Sequence, residues 1–268
     1  MPIHNHIPSA QHSLSLYIFA LPLITVMIAY MIAAIVSSQK LRTWKIHRTL
    51  FWLLGITCAI AAVFGPLANA AHHDFRYHMI SHLLIGMLAP ILLVFAAPMT
   101  LILRTLPVRL ARRFISFLNR PVIRMISHPI SASLINLGSM WLLYTTSIYS
   151  LMHHHLWLHW FVHVHMLLAG FLFTCSMIDV DPVPHRYSFR LRASILLLSS
   201  AGHNILSKYI YAHPPIGVNL SQTETGAMLM YYGGDIIDVL LITILCSQWY
   251  KSVNSRSFLS RKSSTQLS

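Results

Sequence analysis

The chain has 268 residues, of which 56% are hydrophobic and 9% charged, with a net charge of +13 and a mean hydropathy of +0.62. A soluble domain carries roughly 25% charged residues, so an ordinary globular domain is excluded. No polar stretch is long enough for a separate soluble domain.

Residues 1–13 read as a short extracytoplasmic segment carrying His4, His6 and His12. Met1 to Gln11 has neither a basic leader nor a small-residue cleavage site, so the first span is expected to act as its own insertion signal. Seven apolar runs follow, over about 14–36, 49–70, 78–103, 130–150, 156–178, 193–212 and 226–249, each long enough to cross a hydrocarbon core of roughly 30 Å. In lipid the backbone has to satisfy its own hydrogen bonds, which makes these runs helices. The expected fold class is an all-α polytopic membrane protein. Its seven-helix domain covers 14–250, and a Ser-rich, disordered cytoplasmic tail covers 251–268.

Charge sets the expected orientation. Basic residues gather in every second connection: Lys40 to Arg48, Arg104 to Arg124, Arg186 to Arg192 and Lys251 to Lys262, with only Arg76 and Lys208 elsewhere. Positive charge stays on the cytoplasmic side, so the N-terminus is outside and the C-terminus inside. That placement argues for a lipid bilayer and against nucleic acid as the partner of the charge. Residues 104–124 are expected to lie along the anionic inner leaflet as an amphipathic helix. Cys58, Cys175 and Cys246 sit singly inside apolar runs and read as structural thiols.

With this topology, 15 of the 18 histidines face outward. They are the three N-terminal ones, then His72, His73, His78 and His82, the set from His153 to His165, and His203 and His213. His78 and His82 are four apart and share a helix face, and His155, His159 and His163 repeat the spacing on the fifth span. Imidazoles on successive turns can hold one metal ion. Met79, Met87, Met152 and Met166 lie close by, and thioether beside imidazole favours Cu(I) over zinc. A lone interfacial histidine is more often a hydrogen-bonded anchor than a ligand, and methionines in such helices mostly pack. Two histidine pairs at similar depth on facing spans fit that reading less well, because polar groups in spans are costly.

Asp235 and Asp238 lie within the seventh span, after Gly233 and Gly234. For Asp235, a metal ligand, an acceptor orienting a histidine and an ion pair with Lys208 all remain open, the last two being favoured. The stretch Asp179 to Arg186, with Pro182 and Pro184, reads as a turn whose acids pair with Arg190 or Arg192. No hydrolase, kinase or nucleotide-pump motif is present, so an enzyme is not expected.

The segment Tyr77-His78-Met79-Ile80-Ser81-His82-Leu83-Leu84, running through Ala89-Pro90 to Ala97-Pro98, resembles the CtaG family of cytochrome c oxidase (caa3-type) assembly factors. So do His128-Pro129, His163-Val164-His165, the Asp181-Pro182 turn and the Gly226 to Asp235 region, which together cover roughly residues 50 to 250. The resemblance implies a protein of the bacterial plasma (inner) membrane that supplies copper to an oxidase subunit or another copper chaperone. Taken with the spacing, it points to His78, His82, His159, His163, His165, Met79 and Asp235 as the metal site. The N-terminal histidines and the His153–His155 run have no counterpart in it. Two readings compete with copper: a haem-binding electron-transfer protein, with histidines as axial ligands, and a metal or proton transporter.

Overall fold

Backbone amides without water to bond have to bond each other, and the described chain is all helix. The computed structural model describes residues 9–41, 43–181 and 187–265, with side chains over 21–41, 43–181 and 187–254. His4, His6, Arg42 and the Pro182 to Arg186 turn lie outside the described residues, and the side chain of His12 outside the described side chains. In chain order the helices are α1 Ser9–Lys40, α2 Ile46–Val63, α3 Pro66–His73, α4 Phe75–His82, α5 Ala89–Phe95, α6 Pro98–Thr105, α7 Val108–Leu118, α8 Pro121–Ile126, α9 Pro129–Thr145, α10 Ile148–His154, α11 Leu156–Met177, α12 Phe189–Ala212 and α13 Leu220–Thr265. A π-helical turn, Leu83–Leu88, joins α4 to α5.

Among the described residues, five stretches are long and apolar enough to cross a membrane: Leu21–Lys40, Ile46–His73, Phe75–Phe95, Leu156–Met177 and Leu220–Asn254. The expected fourth and sixth spans are not among them, for two different reasons. α9 has 17 residues, about 26 Å at 1.5 Å per residue, which falls short of a core of roughly 30 Å. α12 is longer but carries Arg190, Arg192, His203, Asn204 and Lys208. Both nevertheless pack inside the bundle, α9 against α11 and α12, and α12 along α13.

Breaks fall where local chemistry demands them. Gly65, at φ 87°, and Pro66 separate α2 from α3. Ala97 takes a left-handed conformation, φ 52°, ahead of Pro98, so the expected third span ends at Phe95 and not at 103. A side chain at positive φ is strained, and here Asp181 offsets the strain. Its carboxylate accepts hydrogen bonds from the amides of Met99 (3.0 Å) and Thr100 (2.9 Å) and from the Thr100 hydroxyl (2.6 Å), capping α6. Asp181 therefore does not pair with an arginine as expected. Asp179 does, meeting Arg192 at 2.9 Å, and the same guanidinium donates to the Met177 carbonyl.

Lys45, Arg48, Arg104 and the α7–α8 segment mark one end of the bundle, here the basic end. α7 and α8 bury no side chain, as befits helices lying along a surface. α1 is anchored near that end, where the Tyr30 hydroxyl donates to the Ala96 carbonyl at 2.8 Å, accepts from the Trp44 indole at 3.2 Å and stacks its ring on Trp52. At the other end lie α3, α10 and the α12–α13 junction, where the histidines gather.

Removing the Asp181 carboxylate leaves two amides and a hydroxyl without a partner beside a strained residue. Asp181→Ala is expected to cost about 1–3 kcal/mol, measured as a lower thermal unfolding midpoint in detergent with helix content unchanged. An unchanged midpoint would show that the cap contributes nothing.

Candidate functional site

Asp74 begins α4, accepting from the Arg76 amide at 2.9 Å and pairing with its guanidinium, which holds the carboxyl below its ordinary value. This fixes the start of the helix that carries His78 and His82. Both rings are buried, as are those of His163 on α11 and His203 on α12.

The predicted ligands divide into two groups. Toward the chain-connection end, imidazoles from α3, α10 and α11 form a series. His72 lies 6.1 Å from His153 and 4.8 Å from His159, and His159 lies 4.3 Å from His163, ring centre to ring centre. His78 joins from α4 at 6.4 Å from His163. Two of these rings are fixed by the backbone: Nδ1 of His153 donates to the Tyr149 carbonyl at 2.9 Å and Nδ1 of His163 to the His159 carbonyl at 2.8 Å. With the proton on Nδ1, the lone pair is left on Nε2, the orientation that metal-binding histidines use. His78 is engaged differently, with its Nε2 3.2 Å from the Tyr144 hydroxyl.

The second group is deeper. His82 does not face His163 as its spacing suggested; its ring lies 6.0 Å from His203 and nearly parallel to it, at 18°. Tyr144 stands between the groups, 6.0 Å from His78 and 6.2 Å from His82.

The remaining predicted residues lie apart. His165, two residues beyond His163, turns toward α9 and lines an apolar cavity with Leu158, Phe161 and Met140. Met79 is wholly buried in the apolar core against Gly226. Met166 is closer to the rings, since its Cε and the His82 ring both close on Gly86. Asp235 accepts a hydrogen bond from Asn204 at 2.8 Å, and not from Lys208, whose ammonium rests over the Tyr231 ring. His155 sits at the N-terminal boundary of α11, makes no capping hydrogen bond with its side chain, and is exposed. Cys58 and Cys175 are half-buried among apolar side chains and Cys246 is exposed; all three are free thiols.

His72, His153 and His203, counted among the outward histidines but left out of the expected metal site, complete the arrangement with Tyr144, which the sequence did not single out. For His203 a signal was present: Gly234 leaves room for its ring, and a side chain at Gly234 would overlap it. A cavity of about 260 Å³ lined by His72, Asp74, Tyr149, His153 and Gln222 opens onto the mouth-side series. Among the described residues, no three His, Cys, Asp or Glu side chains meet closely enough to hold one metal ion. What the geometry provides is a succession of imidazole pairs.

Comparison with protein families matches residues 28–252 to the family described as cytochrome c oxidase caa3 assembly factor. Uncharacterized proteins of Mycobacterium bovis and Mycobacterium tuberculosis are each 28% identical over 228 residues, covering 77% of this chain and 34% of their own length. One from Mycobacterium leprae is 25% identical over the same extent, covering 35% of its length. The chain thus spans about a third of the length of these relatives. No solved structure matches it.

Because a Cβ at residue 234 would collide with His203, Gly234→Ala is expected to destabilise the protein by about 1–3 kcal/mol and to shift the His203 ring resonances. Gly138→Ala, where nothing lies within 4 Å, should leave both unchanged. Equal effects from the two substitutions would remove the claim that α13 closes on His203.

Proposed function

The chain belongs to the cytochrome c oxidase caa3 assembly factor family, and on that premise we propose that it handles Cu(I) as cargo for the oxidase. One observation carries this reading: the continuous series of imidazoles from His153 through His72 and His159 to His163, opening onto a polar cavity. Neutral imidazole is a good Cu(I) donor, and so is the thioether of Met166 near the deeper pair.

The proposed sequence of events uses this chain's own groups. Cu(I) enters at the cavity beside His72 and His153. The Nδ1 hydrogen bonds of His153 and His163 keep those rings turned, so the Nε2 lone pairs are available without reorganisation. The ion passes between neighbouring imidazoles by exchange of one donor for another. A closed cage would hold it too tightly to release, whereas a pair of donors gives it up to a partner that offers more. Delivery to an oxidase subunit or a further copper chaperone follows, with no bond made or broken in the protein.

The proposed setting is the bacterial inner membrane. There the five long apolar helices are joined by α9 and α12 to give seven crossings, N-terminus outside and C-terminus inside, as the basic clusters demand. This puts the histidine end at the extracytoplasmic face. Single cysteines introduced at Ser150 and Ser116 test it: the first is expected to react with an impermeant thiol reagent in intact cells and the second only after lysis, and the reverse pattern would invert the protein.

A haem held by His82 and His203 is the competing use of the deeper rings. It is disfavoured by space, because the cavity beside His203 has a volume of only about 30 Å³. The copper reading is tested by the double substitution His159→Gln, His163→Gln. Cells carrying it are expected to assemble oxidase with at least several-fold less copper, and the purified variant to bind correspondingly less Cu(I). Full oxidase copper with the variant protein present at normal levels would overturn the reading.

A further inference from the structure

His82 and His203 stand apart from the series that opens to the mouth, and their environment is unusual. His82 has no hydrogen-bond partner on either ring nitrogen, and His203 has only the Asn204 side chain beside it, with no bond of good geometry. A neutral imidazole always carries one N–H donor and one acceptor, and each such group buried unpaired costs about 1–3 kcal/mol. Two adjacent rings both left in this condition are arranged for something that binds between them.

Beside them lies a chamber of about 30 Å³ whose polar lining is Asn136, Thr174, Ser199, Ser200, His203 and Asp238. The space suits an ion or a water molecule or two. Asp238 is 6% exposed, and its Oδ2 has no partner, while Ser200 hydrogen-bonds to the carboxylate. No basic side chain answers it. Arg76 pairs with Asp74 and Arg192 with Asp179, and Lys208 rests on Tyr231. A lone carboxylate inside a bundle within lipid is costly unless it holds a proton or a cation neutralises it.

Spacing agrees with this. Two imidazole nitrogens bound to one ion lie about 4 Å apart, twice a metal–nitrogen bond of roughly 2 Å, which sets ring centres about 6 Å apart. The observed separation is 6.0 Å with the ring planes stacked at 18°, so the two rings have the spacing for a shared ion and have to turn their nitrogen edges toward each other to hold it. Gly86 and Gly234, lacking side chains, leave room on the flanks of the two rings. The other titratable groups facing the pair are His78 from α4, His163 from α11, Tyr144 from α9 and Asp235 from α13, the last of which is held by Asn204.

We propose that His82, His203 and Asp238 form a second, deeper station for a soft monovalent cation, with the two imidazoles as direct donors and the Asp238 carboxylate as the neutralising charge from the adjoining chamber. One positive and one negative charge leave the interior neutral, whereas a divalent ion would leave an uncompensated charge there. That the cation is Cu(I) rests on the function proposed above; the station itself rests on these three side chains.

Silver(I), which is not redox-active under these conditions, serves as the probe. The full chain in lipid nanodiscs, with Cys58, Cys175 and Cys246 replaced by serine in wild type and variants alike so that no thiol takes up silver, is equilibrated with Ag(I), and bound metal is counted by elemental analysis, with thermal unfolding recorded for each variant. The wild type is expected to bind two ions. Asp238→Asn, which keeps the shape of the side chain, and His203→Gln should each retain one and weaken the other at least about tenfold, while His159→Gln, His163→Gln should retain the deeper ion. A wild type that binds one ion, lost in the His159/His163 variant and indifferent to Asp238→Asn, overturns the deeper station and leaves the carrier reading standing. One ion lost in His203→Gln but not in the His159/His163 variant supports the deeper station and removes the mouth-side one. No bound ion in the wild type overturns both. Should His203→Gln fail to fold, the isosteric Asp238→Asn decides.

Discussion

Hydrocarbon accepts no hydrogen bonds, and that constraint arranges everything else in this protein. Helices whose outward faces are Ile24, Leu54, Leu134, Leu168, Leu198 and Ile236 have to turn their polar side chains inward, toward one another. His78, His82, His163, His203, Thr174, Ser199 and Asp238 are all buried. Glycine at the crossings lets the helices come close enough for this. Gly170 on α11 sits against the Gly86 carbonyl of the π-helical turn, and Gly233 of α13 against Leu83. Packing by small residues is the usual means of helix association in lipid, and here it also determines which imidazoles meet.

Much of this was legible in the sequence. The apolar runs gave helices close to where they lie, and α11, Leu156–Met177, matches the expected 156–178 almost residue for residue. The spacing of His78 and His82, and of His159 and His163, placed the right side chains on the right helices. Rotation about the helix axis was not legible, because apolar residues dominate both faces of each helix and the few buried polar side chains are too sparse to fix it. His82 consequently turns to α12 and not α11, and His165 faces away from the series. Three breaks were also missed, the first at Gly65–Pro66 inside the expected 49–70. Ala97 has no glycine to announce a left-handed residue, and Thr146 ends α9 in extended backbone with no proline after it.

Charges inside the bundle behaved less simply than counting suggested. Asp235 and Lys208 have opposite signs on adjacent helices, yet each satisfies itself elsewhere, the acid on the Asn204 amide and the amine on an aromatic face. An amide–carboxylate hydrogen bond avoids desolvating two full charges, which a buried ion pair cannot. Asp181 shows the same economy at the basic end, where it chose backbone amides over arginine.

The three cysteines are free, Cys58 and Cys175 half-buried among apolar side chains and Cys246 exposed. Thiolates are the stronger soft donors, but they climb an oxidation ladder to disulfide and sulfenic acid, and compartments outside the bacterial cytoplasm are oxidising. The proposed metal path is built from imidazole nitrogens, so oxidation of Cys58, Cys175 or Cys246 would leave its donors intact.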